Sequence, residues 1–185
     1  MPSSRQKIIL IGSGGAGKST LARMLGEVLR LPVYHLDALF WNPGWIETPK
    51  DAWFRLHKKL CAQEAWIIDG NYGGTMDLRF AAADTVIFLD LPCWLCVYRA
   101  FRRTLVFYGR KRPDMAEGCP ERFLDFGYFK FLKWIWDYPR THRPGILEKL
   151  EKLRGQKEIV ILRSDREVAA FLSLLHAEAL VHTHR

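Results

Sequence analysis

The chain of 185 residues is defined first by what it lacks. Its four cysteines, Cys61, Cys93, Cys96 and Cys119, are too few for a disulfide-stapled scaffold, so a reduced, cytoplasmic setting is expected. No apolar run approaches the ~20 residues of a membrane-spanning helix. Even Val86 to Tyr98 carries Asp90 and Pro92, and the run from Ile8 to Gly12 is too short for a signal peptide. There is no internal repeat, no low-complexity stretch and no Gly/Ser linker. Acidic residues are in deficit, 20 against 28 Lys and Arg, for a net charge of +8. Such a surface favours anionic partners: nucleotides, phosphorylated metabolites, nucleic acid or an acidic membrane surface. A composition of 49% apolar and 26% charged residues excludes whole-chain disorder, collagen and coiled coil, and the length suits one domain over 1–185. Seven tryptophans spread along the chain are read mostly as packing residues, some of them lining a site.

Hydrophobic patterning alternates strand and helix. Lys7 to Ile11 is a continuous apolar run ending at Gly12, a strand buried on both faces. Lys18 to Arg30 places Leu21, Leu25, Val28 and Leu29 at helical spacing. Further strands are expected at Pro32 to Leu36, Trp66 to Ile68, Thr85 to Leu91 and Lys157 to Leu162. Thr48-Pro49-Lys50-Asp51 reads as a helix start with Thr48 as N-cap, and Ser164-Asp165-Arg166-Glu167 as a capping box. The expected fold is α/β, a doubly wound parallel five-stranded sheet covered on both faces. Two excursions interrupt it: a small insert at about 40–65 and a helical, Arg-rich lid at about 99–145.

Between the first strand and first helix lies Gly12-Ser13-Gly14-Gly15-Ala16-Gly17-Lys18-Ser19-Thr20. It fits G-x-x-x-x-G-K-[ST] at every specified position. Glycines let the backbone turn its N–H groups onto phosphate oxygens, and the helix N-terminus adds positive potential. Lys18 is placed for the β/γ-phosphates of a nucleotide and the Ser19 hydroxyl for Mg²⁺. The reaction class is narrowed by what is missing. No D-x-x-G switch, no N-K-x-D guanine reader and no Leu-Ser-Gly-Gly-Gln string occurs, which excludes the GTPase and ABC patterns.

The spacing of Gly12, Gly15, Gly17 and Lys18, with an insert after the second strand and arginines after the fourth, resembles the adenylate-kinase-like P-loop kinases over the whole chain. Three blocks narrow the likeness: Leu36 to Trp45, Trp66 to Tyr72 and Arg110 to Cys119. These resemble the DNA topology modulation (FlaR-related) group of P-loop kinase-like proteins. The resemblance implies ATP binding with Mg²⁺ and transfer of a phosphoryl group to a small nucleotide or metabolite acceptor.

It also implies roles for individual residues. Asp37, at the end of the second strand, occupies the position of the Asp that orients or deprotonates the acceptor hydroxyl, or holds Mg²⁺ through water, in shikimate- and gluconate-kinase-like enzymes. Asp69 resembles the Asp-Gly of adenylate kinases that supports Mg²⁺. Asn71, Tyr72 and Arg79 are expected at the acceptor, Arg79 on an acceptor phosphate. The run Arg99, Arg102, Arg103, Arg110, Lys111 and Arg112 resembles the arginines that close over ATP in adenylate-kinase-like proteins; Arg99, Arg103, Arg110 and Arg112 are the catalytic candidates. The rival reading makes the same run, with Phe101, Phe107 and Tyr108, a nucleic-acid patch on a nucleotide-gated DNA-binding protein. The Cys93-x-x-Cys96 pair lacks a second ligand pair and reads as buried small side chains.

Overall fold

The computed structural model describes residues 5–110, 112–120 and 126–183. Lys111 of the basic run lies outside them. Among the described residues, five parallel strands form the central sheet: β1 (Lys7–Gly12), β2 (Val33–His35), β5 (Trp66–Asp69), β6 (Thr85–Leu89) and β7 (Glu158–Leu162), in the order β2-β5-β1-β6-β7. This is the expected doubly wound sheet. The connections run through α1 (Lys18–Leu29), α3 (Lys50–Cys61), α4 (Met76–Ala82), α5 (Cys93–Phe107), α6 (Phe126–Thr141) and α7 (Arg143–Leu153), and α8 (Asp165–Thr183) closes the chain.

The run in β1 is apolar at every position because both faces of the strand are covered. Ile9 and Ile11 join Ile68, Phe88, Trp53, Leu60, Phe80 and Leu150 on the face of α3, α4 and α7. Ile8 and Leu10 point the other way, into Leu21, Leu25, Cys96, Ala100 and Leu175 of α1, α5 and α8. Complete burial of such side chains contributes roughly 1.5–3 kcal/mol each, so polar substitutions in β1 are costly. Among the described residues no helix is long and apolar enough to cross a membrane.

Two expected caps take other roles. Pro49, not Thr48, precedes α3; the Thr48 hydroxyl donates to the Phe40 carbonyl at 2.7 Å and so closes the insert. The Ser164 hydroxyl does cap α8, accepting from the Glu167 N–H at 3.2 Å. Glu167 reaches back to the N–H of Arg163 at 2.8 Å, one residue beyond the standard box.

The insert consists of a short helix, α2 (Leu36–Phe40), a two-stranded hairpin, β3 (Trp41–Asn42) and β4 (Ile46–Glu47), and α3. The region expected as a lid is divided. Ile135 of α6 is fully buried and Tyr138 nearly so, and the Arg143 guanidinium holds both oxygens of Asp90 at the end of β6, at 2.7 and 2.9 Å. These helices are core. The described stretch 112–120 instead reaches across to the hairpin: the Gly44 N–H donates to the Gly118 carbonyl at 2.9 Å and the Cys119 thiol to the Asn42 carbonyl at 3.1 Å.

His57 of α3 is fully buried against Trp53, with Nδ1 on the Trp53 carbonyl at 3.0 Å. Burial pushes its pKa down to about 4 from the ordinary 6.5. The unfolded chain therefore takes up a proton that the fold excludes as pH falls from 6.5 to about 4. Over that window stability is expected to drop by about 3 kcal/mol. Urea midpoints measured between pH 4 and 7 should fall accordingly, and His57→Leu should flatten that part of the slope.

Candidate active site

The site forms at the carboxyl edge of the sheet, at β1, where the strand order reverses and ligands of open α/β sheets bind. Gly12 leaves β1 so close to β6 that a Cβ would stand 2.5 Å from the Leu89 carbonyl. At Gly15 the backbone is left-handed (φ 73°), and a Cβ would meet the Cys96 carbonyl of α5 at 2.2 Å. The loop is thus wedged between β6 and α5 by residues without side chains. The Lys18 ammonium donates to the Ser13 carbonyl at 2.9 Å, and the Ser13 hydroxyl is buried with no hydrogen-bond partner.

A second loop, residues 69–72, lies beside the first and fixes it. The Asn71 carboxamide accepts from the Gly12 N–H at 3.1 Å and donates to the Gly12 carbonyl at 2.8 Å. Asn71 lines the cleft, as expected of an acceptor residue, yet its polar atoms are engaged on the phosphate loop. Arg79, expected on an acceptor phosphate, is fully buried and does not reach the cleft. Its guanidinium donates to the carbonyls of Gly70 at 2.6 Å, Asn71, and Tyr72 at 3.1 Å. Burial lowers its pKa to about 10, so the cation persists at neutral pH and acts as a brace. Arg79 is drawn under the loop because three successive carbonyls converge on its guanidinium there, where Tyr72 takes a left-handed backbone (φ 35°).

The carboxylates meet in the same place. Asp69, at the end of β5, is buried; one oxygen faces His35 Nδ1 at 2.9 Å and the other, Oδ1, has no hydrogen-bond partner. Asp37, on α2, accepts from the Tyr72 hydroxyl at 2.8 Å. Burial, then the Asp37 charge, push the Tyr72 phenol well above its ordinary range, so it remains a donor. Both carboxylates, Lys18, Ser19 and Thr20 line one cleft of about 1230 Å³. That volume exceeds the 300–1,000 Å³ of a typical single-ligand pocket.

The basic run does not form one exposed face. Arg99 is bonded to Asp165 at the start of α8 at 2.5 Å. Arg103 lies over the Phe131 ring, 5.9 Å from its centroid, and Arg112 is buried. All three line the cleft with Arg102, whereas Arg110 is exposed and stands outside the cleft lining. An acid missing from the sequence reading completes the array: Asp114, in the cleft, hydrogen-bonds the Ser19 hydroxyl with Arg112 Nε 3.9 Å away. Burial opposes its charge, but Arg112 and the Ser19 bond hold its carboxyl below the usual carboxylate range. Its only sequence signal is a Pro-Asp after a basic run, which reads as a turn. His35 also escaped notice, although a polar residue ending a strand beside Asp37 could have drawn attention.

Ser19 and Asp69 both line the cleft, and their hard oxygens, among them the unpaired Oδ1 of Asp69, suit Mg²⁺, which takes few protein ligands and keeps waters and phosphates. Among the described residues, no group of three or more His, Cys, Asp and Glu side chains could cage a metal alone.

No protein-family model matches the chain, and no curated protein matches it. Among solved structures it is similar to the shikimate kinase from Acinetobacter baumannii in complex with shikimate, with 16% identity, a TM-score of 0.57 and coverage of 97% of this chain and 96% of that one. The chain shares that fold. A gluconokinase from Sinorhizobium meliloti 1021 aligns over 97% of this chain and 98% of its own, at 18% identity and a TM-score of 0.49. Neither comes from the DNA topology modulation group, so that narrower resemblance rests on the sequence blocks alone.

Removing the Arg79 brace strands the carbonyls of the 70–72 loop. Arg79→Met is expected to cost about 3 kcal/mol, read as a lowered urea midpoint, and to loosen nucleotide affinity through Asn71 and Gly12.

Proposed function

We propose that the protein is an ATP- and Mg²⁺-dependent phosphotransferase acting on a small-molecule acceptor. One observation carries this reading: a phosphate loop with Lys18 and the carboxylates of Asp37 and Asp69 open into a single cleft with room for two ligands. The loop N–H groups and Lys18 hold the β/γ-phosphates, and Ser19, with Asp69 behind it, holds Mg²⁺. The ion, when bound, offsets charge on the phosphate oxygens.

Asp37 stands where it can orient the acceptor hydroxyl. As the acceptor oxygen forms its bond to the γ-phosphorus, the bond from that phosphorus to the β-bridging oxygen breaks and ADP leaves. The hydroxyl proton passes to Asp37 and then to solvent. Arg99, Arg103 and Arg112 line the same cleft and offset charge on the transferring group. The work is mostly positioning and charge neutralisation, so direct in-line transfer without a covalent enzyme intermediate is expected. Of the basic run behind the DNA-binding alternative, Arg99 is paired with Asp165 and Arg112 is buried, while Arg102 and Arg110 are exposed.

Lys18→Ala should abolish acceptor-dependent ADP release while leaving the circular dichroism spectrum unchanged; turnover persisting in that variant would remove Lys18 from its role. Asp37→Asn should lower kcat about a hundredfold with ATP affinity nearly unchanged. Loss of ATP binding alone would argue against its place at the acceptor.

A further inference from the structure

The acceptor end of the cleft has a chemistry of its own. Its lining from α2, the hairpin and the 69–72 loop consists of Asp37, Trp41, Trp45, Asp69, Asn71 and Tyr72, with Gly70. Two are carboxylates and three are aromatic. Among the described residues these elements bring no Lys or Arg to the cleft. Arg79, the Lys or Arg nearest in sequence to the 69–72 loop, is fully buried under the carbonyls of 70–72. The cations that line the cleft come from α1, α5 and Arg112, and four of them are engaged by other groups of the chain. Lys18 is on the Ser13 carbonyl, Arg99 on Asp165, Arg103 over Phe131, and Arg112 beside the Asp114 that holds Ser19.

The aromatic wall is built in place. Trp41 and Trp45 stand edge-to-face, ring centroids 5.4 Å apart. The Trp45 indole N–H donates to the Pro120 carbonyl at 3.2 Å, fixing the hairpin against 112–120. Trp45 (φ 65°) and Tyr72 (φ 35°) are both left-handed, a conformation that bulky residues rarely hold unless the surroundings impose it. Two such residues on one wall of one cleft point to a ligand face rather than to packing alone.

We propose that the acceptor is an uncharged ring-bearing alcohol, a sugar or a nucleoside, that lays an apolar ring face on Trp41 and Trp45 and presents one hydroxyl to Asp37. Acceptors carrying a carboxylate or phosphate are disfavoured, because among the described residues α2, the hairpin and the 69–72 loop meet them with the Asp37 carboxylate and no Lys or Arg. The inference rests on the phosphotransferase reading above.

The test pairs neutral and anionic compounds of the same skeleton: glucose with gluconate, and thymidine with thymidine monophosphate, with shikimate added as a further anion. ADP release is measured at saturating Mg²⁺-ATP, and the same compounds are titrated against tryptophan fluorescence in Lys18→Ala. At least one neutral compound is expected to exceed its anionic partner tenfold or more in kcat/KM; which pair responds separates sugar from nucleoside. Trp41→Ala and Trp45→Ala should each raise the acceptor KM tenfold or more, with KM for ATP within about twofold. A higher kcat/KM for an anion than for its neutral partner overturns the inference and leaves the kinase reading standing. If no compound raises ADP release, the kinase reading fails, and the titration then decides the inference alone. Quenching by neutral compounds supports it; none, or quenching by the anions only, overturns it.

Discussion

The chemistry of this molecule hangs on one constraint: the end of β1 must be held while the chain turns sharply away from it. The strand's apolar faces fix its position in the sheet, but the last residue, Gly12, has no side chain with which to anchor itself. The anchor comes from outside, from the carboxamide of Asn71, which takes both the N–H and the carbonyl of Gly12. Asn71 is in turn held by a buried cation, Arg79, through the backbone carbonyls of 70–72. A side-chain amide thus does what another strand's backbone would otherwise do, and a guanidinium holds that amide in register. The phosphate loop inherits its shape from this chain of contacts, because its N–H groups can converge only if both ends are fixed.

The same brace separates two kinds of charge. Turning the 70–72 carbonyls onto Arg79 keeps that cation out of the cleft, where Asp37 and Asp69 are each held by a neighbour: Tyr72 for the first and His35 for the second. Cations gather across the cleft on α1 and α5, where β1 and α5 converge on the loop.

The fold was legible in the sequence wherever a pattern was local. The phosphate loop, the buried parallel strands, the insert after the second strand and the Ser164 cap each depend on spacing within a few residues. The expectations that changed were those in which a residue had several possible partners. Arg79 reads as an exposed phosphate ligand on a short helix; only the left-handed turn at Tyr72 gives it carbonyls to hold. Thr48 reads as a helix cap, but the preceding turn offers its hydroxyl a nearer acceptor in Phe40. Arg110 and Arg112 are nearly adjacent in the chain, yet one is exposed and the other buried in the cleft.

By itself the sequence determined the phosphate-loop backbone at the end of β1, because such a loop works through N–H groups that its own glycines and helix start align. It also determined the two-faced burial of the sheet, through uninterrupted apolar runs. The tertiary structure decided which charged side chains face the cleft and which are consumed in holding it open. That choice depends on desolvation and on partners far away in the chain: Asp114 on Ser19, Asn71 on Gly12, Arg99 on Asp165. No local pattern encodes such pairings, since each energy is set by how much water the folded surroundings exclude.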